Sequence, residues 1–315
     1  MLSNLKFTDV YLGEKASWLA GIPGTLDPVP APTDVLDELD ALRKVCERIS
    51  EESKREEFAV RHCDVAYRAS TMHSMSEQVF VLRRFPDVVP GFDRLNLHPF
   101  VINRLLEPKL SGLVVISGPF GQGKTTTASA FIKGRLSKFG GVAVTIEDPP
   151  EMPLEGRHGE GVCYQTWVDQ GGFGQACRQA ARWAPSIIFV GEVRDSETAT
   201  EALRASINGR LVVCTTHADN VMTAINRLFS LAAGSAGNSE DVASLLAHGL
   251  AAVVHQKLEG ETEKRPKLEF LFLQGDDSHG ARSLIRSRKF EQLGSEINLQ
   301  LNKMLASGGT RSAPV

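Results

Sequence analysis

The sequence predicts an α/β protein: a mainly parallel sheet covered by helices, preceded by a small α+β domain. Three observations carry this. Apolar, β-branched runs (GLVVISG, 112–118; VAVTIED, 142–148; SIIFVGE, 186–192; RLVVCTTH, 210–217) alternate with helical stretches (TTTASAFIKGRLSKFG, 125–140; SETATEALRAS, 196–206). Continuous apolar strands separated by helices indicate a parallel sheet buried on both faces. Before residue 95 the pattern differs, with one amphipathic helix and paired β-like runs. Between the two lies PDVVPGFDRLNLHP (86–99), whose three prolines and one glycine mark a linker. The expected domains are 1–95 and 96–305, followed by a disordered tail, 306–315.

The elements follow in order. DVYLG (9–13) and GIPG (21–24) read as a short strand with turns. In PTDVLDELDALRKVCERISEE (32–52), Leu36, Leu39, Leu42, Val45 and Ile49 recur at helical spacing, and Thr33 or Asp34 can cap the helix. CDVAYRAST (63–71) and EQVFVLRRF (77–85), joined by the polar MHSMS, predict a hairpin. From about 238 onward the chain reads as helices with one β-like run, KLEFLFL (267–273). The most apolar segment, LLAHGLAAVVH (245–255), is too short to span a bilayer, and MLSNLKFTDVYLG lacks the long apolar run of a signal peptide. The expectation is a cytoplasmic chain with no transmembrane segment that meets a membrane only as a peripheral partner.

With 35 Lys plus Arg against 38 Asp plus Glu, the near-neutral balance argues against a protein whose main task is coating nucleic acid. Cys46, Cys63, Cys163, Cys177 and Cys214 are scattered and form no C-x-x-C pair, so no zinc site is signalled and reduced thiols are expected.

Gly118, Gly123, Lys124 and Thr125 satisfy G-x-x-x-x-G-K-[ST] between a buried strand and a helix. The glycines let backbone N–H groups surround phosphates, Lys124 reaches the β/γ oxygens, and Thr125 offers a hydroxyl to Mg²⁺. TIEDPPE (145–151) ends the next strand and brings Glu147, Asp148 and Glu151 to the strand-end face where ligands sit; solvated carboxylates in a proline-stiffened turn are the alternative. IIFVGEVRD (187–195) ends a hydrophobic strand on Glu192, a carboxylate that can orient water or Mg²⁺ beside a phosphate loop, with Arg194 and Asp195 at the edge. VVCTTHADN (212–220) ends on His217, read as a sensor of the γ-phosphate or as a structural histidine.

Taken in order, GPFGQGKTT, TIEDPPE, IIFVGEVRDSETA and GRLVVCTTHA resemble the Walker A, Asp, Walker B and His boxes of the secretion-motor ATPase superfamily of type II and type IV secretion. The resemblance is closest to its pilus-retraction (twitching-motility, PilT-like) branch, with the ATPases of type IVB secretion and conjugation as the similar alternative. It is strong over about 112–228 and weaker over 58–111, and ARSLIRSRKFEQL resembles the branch's Arg-bearing helical segment. The resemblance implies a RecA-like P-loop NTPase domain after a PAS-like N-terminal domain. It implies ATP and Mg²⁺ as cofactors, with Gly118, Gly121, Gln122, Gly123, Lys124, Thr125 and Thr126 around the nucleotide. Glu192, Glu147 and His217 are the implied catalytic groups, the two carboxylates reaching Mg²⁺ through water. YRAS and VLRRF place Arg68 and Arg83, 15 residues apart, where the family carries paired arginines that reach the nucleotide from the N-terminal domain. Such arginines stabilise transition-state charge in phosphoryl transfer. A solvated or ion-paired strand arginine is the alternative for either and the reading for Arg84.

There are departures: Ala184–Ser186 replaces the family's DPD, Asn208–Arg210 replaces TGH, and TDVYL matches SDLHL loosely. None removes a catalytic group. Pilus-extension and type II secretion motors carry a further N-terminal domain and a four-cysteine metal site, neither visible in this sequence. The expectation is therefore a cytoplasmic homohexameric ATPase at the inner-membrane face. It would use domain rotation to power pilus retraction, type IV secretion or conjugative transfer, with an inner-membrane platform protein as partner and no direct nucleic-acid contact. A nucleic-acid-stimulated RecA-like motor, a small-molecule kinase and a non-hydrolysing scaffold are the competing readings.

Overall fold

The computed structural model describes residues 2–26, 28–63, 65–168, 171–236, 238–260, 265–275 and 278–307. The chain divides into two compact units: 1–88 with 149–153, and 89–148 with 154–315.

The first unit contains β1 (Asp9–Leu12), β2 (Ser17–Ala20), β3 (Val29–Pro30), α1 (Leu36–Ser53), β4 (Glu57–His62), β5 (Val65–His73) and β6 (Gln78–Arg84). The strands form one antiparallel sheet in the order β3-β2-β1-β6-β5-β4. The predicted hairpin is β5–β6, in a register that sets Arg68 opposite Arg83. Strand β4 escaped the sequence reading, although Phe58 and Val60 alternate inward along it. α1 packs on β1 and β4 and buries Leu39, Leu42 and Cys46. Its start corrects the capping expectation. Residues 33–35 form a 3-10 turn behind Pro32, the helix begins at Leu36, and neither Thr33 nor Asp34 makes a side-chain cap bond. The rigid φ of Pro32 favours this tightened entry.

The second unit follows the predicted alternation. It contains α2 (Pro99–Leu105), β7 (Gly112–Ser117), α3 (Lys124–Phe139), β8 (Gly141–Glu147), β9 (Gly156–His158), β10 (Gly161–Trp167), α4 (Phe173–Arg182), β11 (Ile187–Val190), α5 (Ser196–Ser206), β12 (Leu211–Thr216), α6 (Val221–Ala236), α7 (Ser239–Gly249), β13 (Leu250–Glu259), β14 (Arg265–Phe272), α8 (His279–Arg286) and α9 (Gly294–Ser307). Its sheet runs β14-β13-β7-β12-β11-β8-β10-β9. The strands from β13 to β10 pair in parallel, and β14 and β9 add antiparallel edges. Leu113, Val115, Ile188, Val190, Val212 and Cys214 share one core with residues of α4 to α8. The intervening Val114, Ile116, Phe189 and Val213 are equally buried and point to the opposite face by the two-residue period of a strand. Helix α3 packs on β7, β8, β10 and β12. Burial on both faces explains why these strands read as unbroken apolar runs.

The segment 245–255 divides at Gly249, ending α7 and opening β13. Reading the C-terminal part as helices with a single β-like run is thus corrected. β13 lies between β7 and β14 and is buried on both faces over its first seven residues, so its composition carries no period to separate strand from helix. Among the described residues no helix is long and apolar enough to cross a membrane. Of the expected tail 306–315, residues 306 and 307 close α9, and the remainder lies outside the described residues. The five cysteines are free thiols. Burial pushes those of Cys46, Cys163 and Cys177 up to about 12.

Candidate functional site

The loop from β7 to α3 contains three glycines with positive φ: Gly118 (153°), Gly121 (69°) and Gly123 (74°). At Gly118 a Cβ would meet the Gln256 carbonyl oxygen at 2.3 Å, so only glycine fits. Gly123 is the N-cap of α3 and offers no side-chain cap. The first N–H groups of the helix thus lack intrahelical partners, and with the helix dipole they form an anion-binding end. This glycine cradle at an uncapped helix start fits a nucleotide's phosphates. Thr125 and Thr126 occupy the first turn, half-buried.

The loop is tied to β13. Gln256, 2% exposed, donates from Nε2 to the Gln122 carbonyl oxygen, and Leu258 N donates to Gln122 Oε1 at 2.6 Å. The side chain of Gln122 is thereby engaged within the protein. One position earlier on β13, His255 lies with Nδ1 3.3 Å from Ser117 Oγ. No local pattern encodes this strap, which joins residues more than 130 positions apart.

Three of the expected groups come together in one bonded chain. Lys124 Nζ donates to the Pro119 carbonyl at 2.8 Å and lies 3.2 Å from His217 Nδ1. His217 Nε2 lies 3.2 Å from Glu192 Oε1, and Glu192 Oε2 lies 2.7 Å from Arg194 Nη2. A lysine donor on Nδ1 and a carboxylate at Nε2 assign a neutral imidazole protonated on Nε2. Burial lowers the His217 pKa below its usual value, Glu192 opposes the shift and Lys124 reinforces it. His217 therefore remains neutral at pH 7. The Phe120 ring lies over it, with centroids 3.7 Å apart, while remaining 79% exposed. Phe120 is absent from the sequence-predicted groups; a bulky apolar residue in the middle of a glycine loop is the signal that marks it.

Glu147 ends β8 and is 2% exposed. Gln165 on β10 donates from Nε2 to its Oε1 at 3.0 Å and accepts on Oε1 from Glu155 N at 2.8 Å. Gln165 is a second group the sequence did not reveal, because β8 and β10 are neighbours only in the folded sheet. A Cβ at Gly191 would lie 3.3 Å from Glu147 Cγ, so the glycine before Glu192 allows the ends of β8 and β11 to close up. Asp148 accepts from Trp167 Nε1 at 3.3 Å, and Glu151 falls in the segment grouped with the first unit.

Asp195 caps α5: its Oδ1 accepts from Thr198 N at 2.8 Å and its Oδ2 from Thr198 Oγ1 at 2.7 Å. Asp195→Ala should lower unfolding stability by about 1 kcal/mol, the usual value of such a cap, and leave nucleotide affinity unchanged. A denaturant midpoint and a nucleotide titration check this. Unaltered stability with weakened binding would move Asp195 into the site.

Arg68 and Arg83 belong to the first unit. Arg68 Nη2 pairs with Glu57 at 2.8 Å, and Arg83 Nε pairs with Asp9 at 2.7 Å, with its side chain 72% exposed. Arg84 donates to the Leu5 carbonyl at 2.9 Å, pairs with Asp87 and lies over the Phe7 ring; the ion pair is one of the two alternatives expected for it.

The family model described as "Type II/IV secretion system protein" matches residues 39–286. A type IV pilus assembly ATPase, PilB, of Thermus thermophilus is 32% identical over 224 residues, covering 70% of this chain and 25% of that protein. A twitching motility protein of Neisseria gonorrhoeae is 29% identical over 256 residues, covering 79% of this chain and 66% of that protein. The chain spans less than half the length of the pilus-assembly and competence relatives it matches. Among solved structures, the pilus retraction motor PilT with bound ADP superposes with a TM-score of 0.75 at 26% identity, covering 97% of this chain and 91% of that one.

Proposed function

The chain belongs to the type II/IV secretion system protein family, and from that premise we propose that it is a hexameric, ATP-hydrolysing motor for pilus retraction or type IV secretion. The observation that carries the reading is the bonded chain Lys124–His217–Glu192, which joins the phosphate loop to two strand ends in a phosphate-binding cradle. The likeness to a retraction motor with bound ADP over nearly the whole chain supports it.

Each residue has a role in this reading. Lys124 exchanges the Pro119 carbonyl and His217 Nδ1 for phosphate oxygens. Thr125, in the first turn of α3, would hold Mg²⁺ by its hydroxyl, and the cation would neutralise charge on the transferring phosphoryl group. Glu192 orients or deprotonates water, and Glu147, fixed by Gln165, assists through water. His217, freed from Lys124 while still bonded to Glu192, couples the state of the γ-phosphate to the water-orienting carboxylate.

Arg68 and Arg83 complete the charge clamp from the N-terminal domain, of the same or a neighbouring subunit. Each must first leave a carboxylate. Exposed ion pairs are worth about 0.2–1 kcal/mol, whereas an arginine that meets transition-state charge is worth roughly 10³–10⁵ in rate, so the exchange is favourable. Opening of that clamp after hydrolysis would turn chemistry into domain rotation. The moving part would act on a platform protein at the inner membrane, where the chain would sit peripherally.

Mass in solution tests the reading. With a slowly hydrolysed ATP analogue, the chain should assemble to six times its 34.3 kDa mass. A monomer that transfers phosphate to a small acceptor would make it a kinase, and turnover stimulated by DNA with salt-sensitive binding would make it a nucleic-acid motor.

A further inference from the structure

A cluster in the first unit has no part in the ATPase reading. Glu38 on α1, His62 at the end of β4 and Cys63 just beyond it place one carboxylate oxygen, one imidazole nitrogen and one thiol sulfur within 4.8 Å of one another. We propose that these three side chains form a binding site for a borderline-soft divalent cation of the zinc type.

The donor set points to that class. Thiolate and imidazole favour Zn²⁺-like ions over Mg²⁺ or Ca²⁺, which take oxygen ligands. Bonds of 2.0–2.3 Å in a tetrahedron set ligand atoms about 3.3–3.8 Å apart. The cluster therefore needs only a small contraction to close around an ion. Three protein ligands leave a fourth position for water. The charges also balance: a carboxylate and a thiolate together offset a divalent cation, and binding releases the thiol proton to solvent.

Local structure supports the placement. β4 and β5 are joined by two residues, a connection that favours left-handed backbone and residues such as Asn or Gly. Cys63 opens this connection at φ 47°, a conformation that disfavours a side chain with a Cβ. It is also the one exposed thiol among five cysteines, the others being core residues. His62 pairs with Val65 at the last rung of the hairpin, so its backbone is fixed. The Glu38 carboxylate is held by a backbone donor: Leu2 N donates to its Oε2 at 2.6 Å. An outer hydrogen bond of this kind orients a ligating carboxylate. An ion here would pin α1 to the β4–β5 turn.

The sequence could not show the site. Glu38 lies 24 positions before His62, and the helix and turn meet only through packing of α1 on β4.

The test uses the untagged full chain with Co²⁺ as a spectroscopic probe and Zn²⁺ as competitor. One Co²⁺ per chain should bind with a thiolate-to-metal charge-transfer band, and one equivalent of Zn²⁺ should displace it. Cys63→Ser should remove the band. His62→Gln and Glu38→Gln should each weaken binding roughly tenfold or more. A second readout is independent of variant folding: Zn²⁺ should slow alkylation of the exposed thiol in the unmodified chain. Binding without fixed stoichiometry, equal binding by the triple variant, or alkylation indifferent to Zn²⁺ would each overturn the proposal. None of these outcomes depends on ATP turnover, so the site stands or falls apart from the motor reading.

Discussion

Lys124→Ala should reduce ATP turnover to background, a loss of at least about 10²–10³-fold, the range seen when one positioned donor is removed from a charge-developing site. Lys124 is the first residue of α3, is 8% exposed, and has its Nζ on the Pro119 carbonyl and His217 Nδ1. Both contacts are ones a phosphate can replace, because each engages the ammonium through a single lone pair. Alanine removes the point charge that the proposed mechanism sets against the β/γ oxygens but leaves the glycine cradle and the uncapped helix start. Some nucleotide affinity should therefore survive while hydrolysis does not. Far-UV circular dichroism and the thermal midpoint should change little, since the tie between the loop and β13 runs through Gln122 and Gln256. Phosphate release assayed beside nucleotide binding separates the two effects. Appreciable turnover in a folded Lys124→Ala protein would remove the loop from the chemistry.

What could be read in the sequence is what local chemistry constrains. The spacing of Gly118, Gly123 and Lys124 is set within one turn of chain, and the structure shows glycine to be obligatory at Gly118. Glu192 and His217 stood out because an apolar strand that ends on a polar residue must deliver that residue to the sheet's carboxyl edge. One contact, His217 Nε2 to Glu192 Oε1, then joins them. What could not be read depends on strand order. β10 lies beside β8, so Gln165 reaches Glu147; β13 lies beside β7, so Gln256 reaches Gln122. Neither adjacency follows chain order. β13 was hidden for a different reason: buried on both faces, it has no period to display. The capping expectation at Thr33 or Asp34 failed because a proline-led 3-10 turn preceded the helix, and side-chain caps compete with such local geometry. Phe120 over His217 is a contact between two loops, which no pattern within either loop encodes.

Glu192→Gln should bind ATP with affinity little changed and hydrolyse it about 10²–10⁴-fold more slowly, the range for loss of a general base. The substitution is nearly isosteric. An amide oxygen can still accept from His217 Nε2, whereas the charge that pairs with Arg194, and that the proposed mechanism uses to draw a proton from water, is gone. Two other carboxylate arrangements compete for the same role. Glu147 is the more buried, and its Oε1 accepts from Gln165 Nε2. If Glu192→Gln turns over normally while Glu147→Gln does not, the base is Glu147. The second alternative is that Glu192 only steers the imidazole. Glu192→Gln, which keeps an acceptor for His217 Nε2, would then cost little and His217→Ala would cost more, because only the histidine variant breaks the link. A base acting directly on water predicts the larger loss for Glu192→Gln, and His217→Ala should impair turnover less while weakening the distinction between ATP and ADP. Single-turnover measurements are required for this comparison, since slow product release would mask a difference in the chemical step.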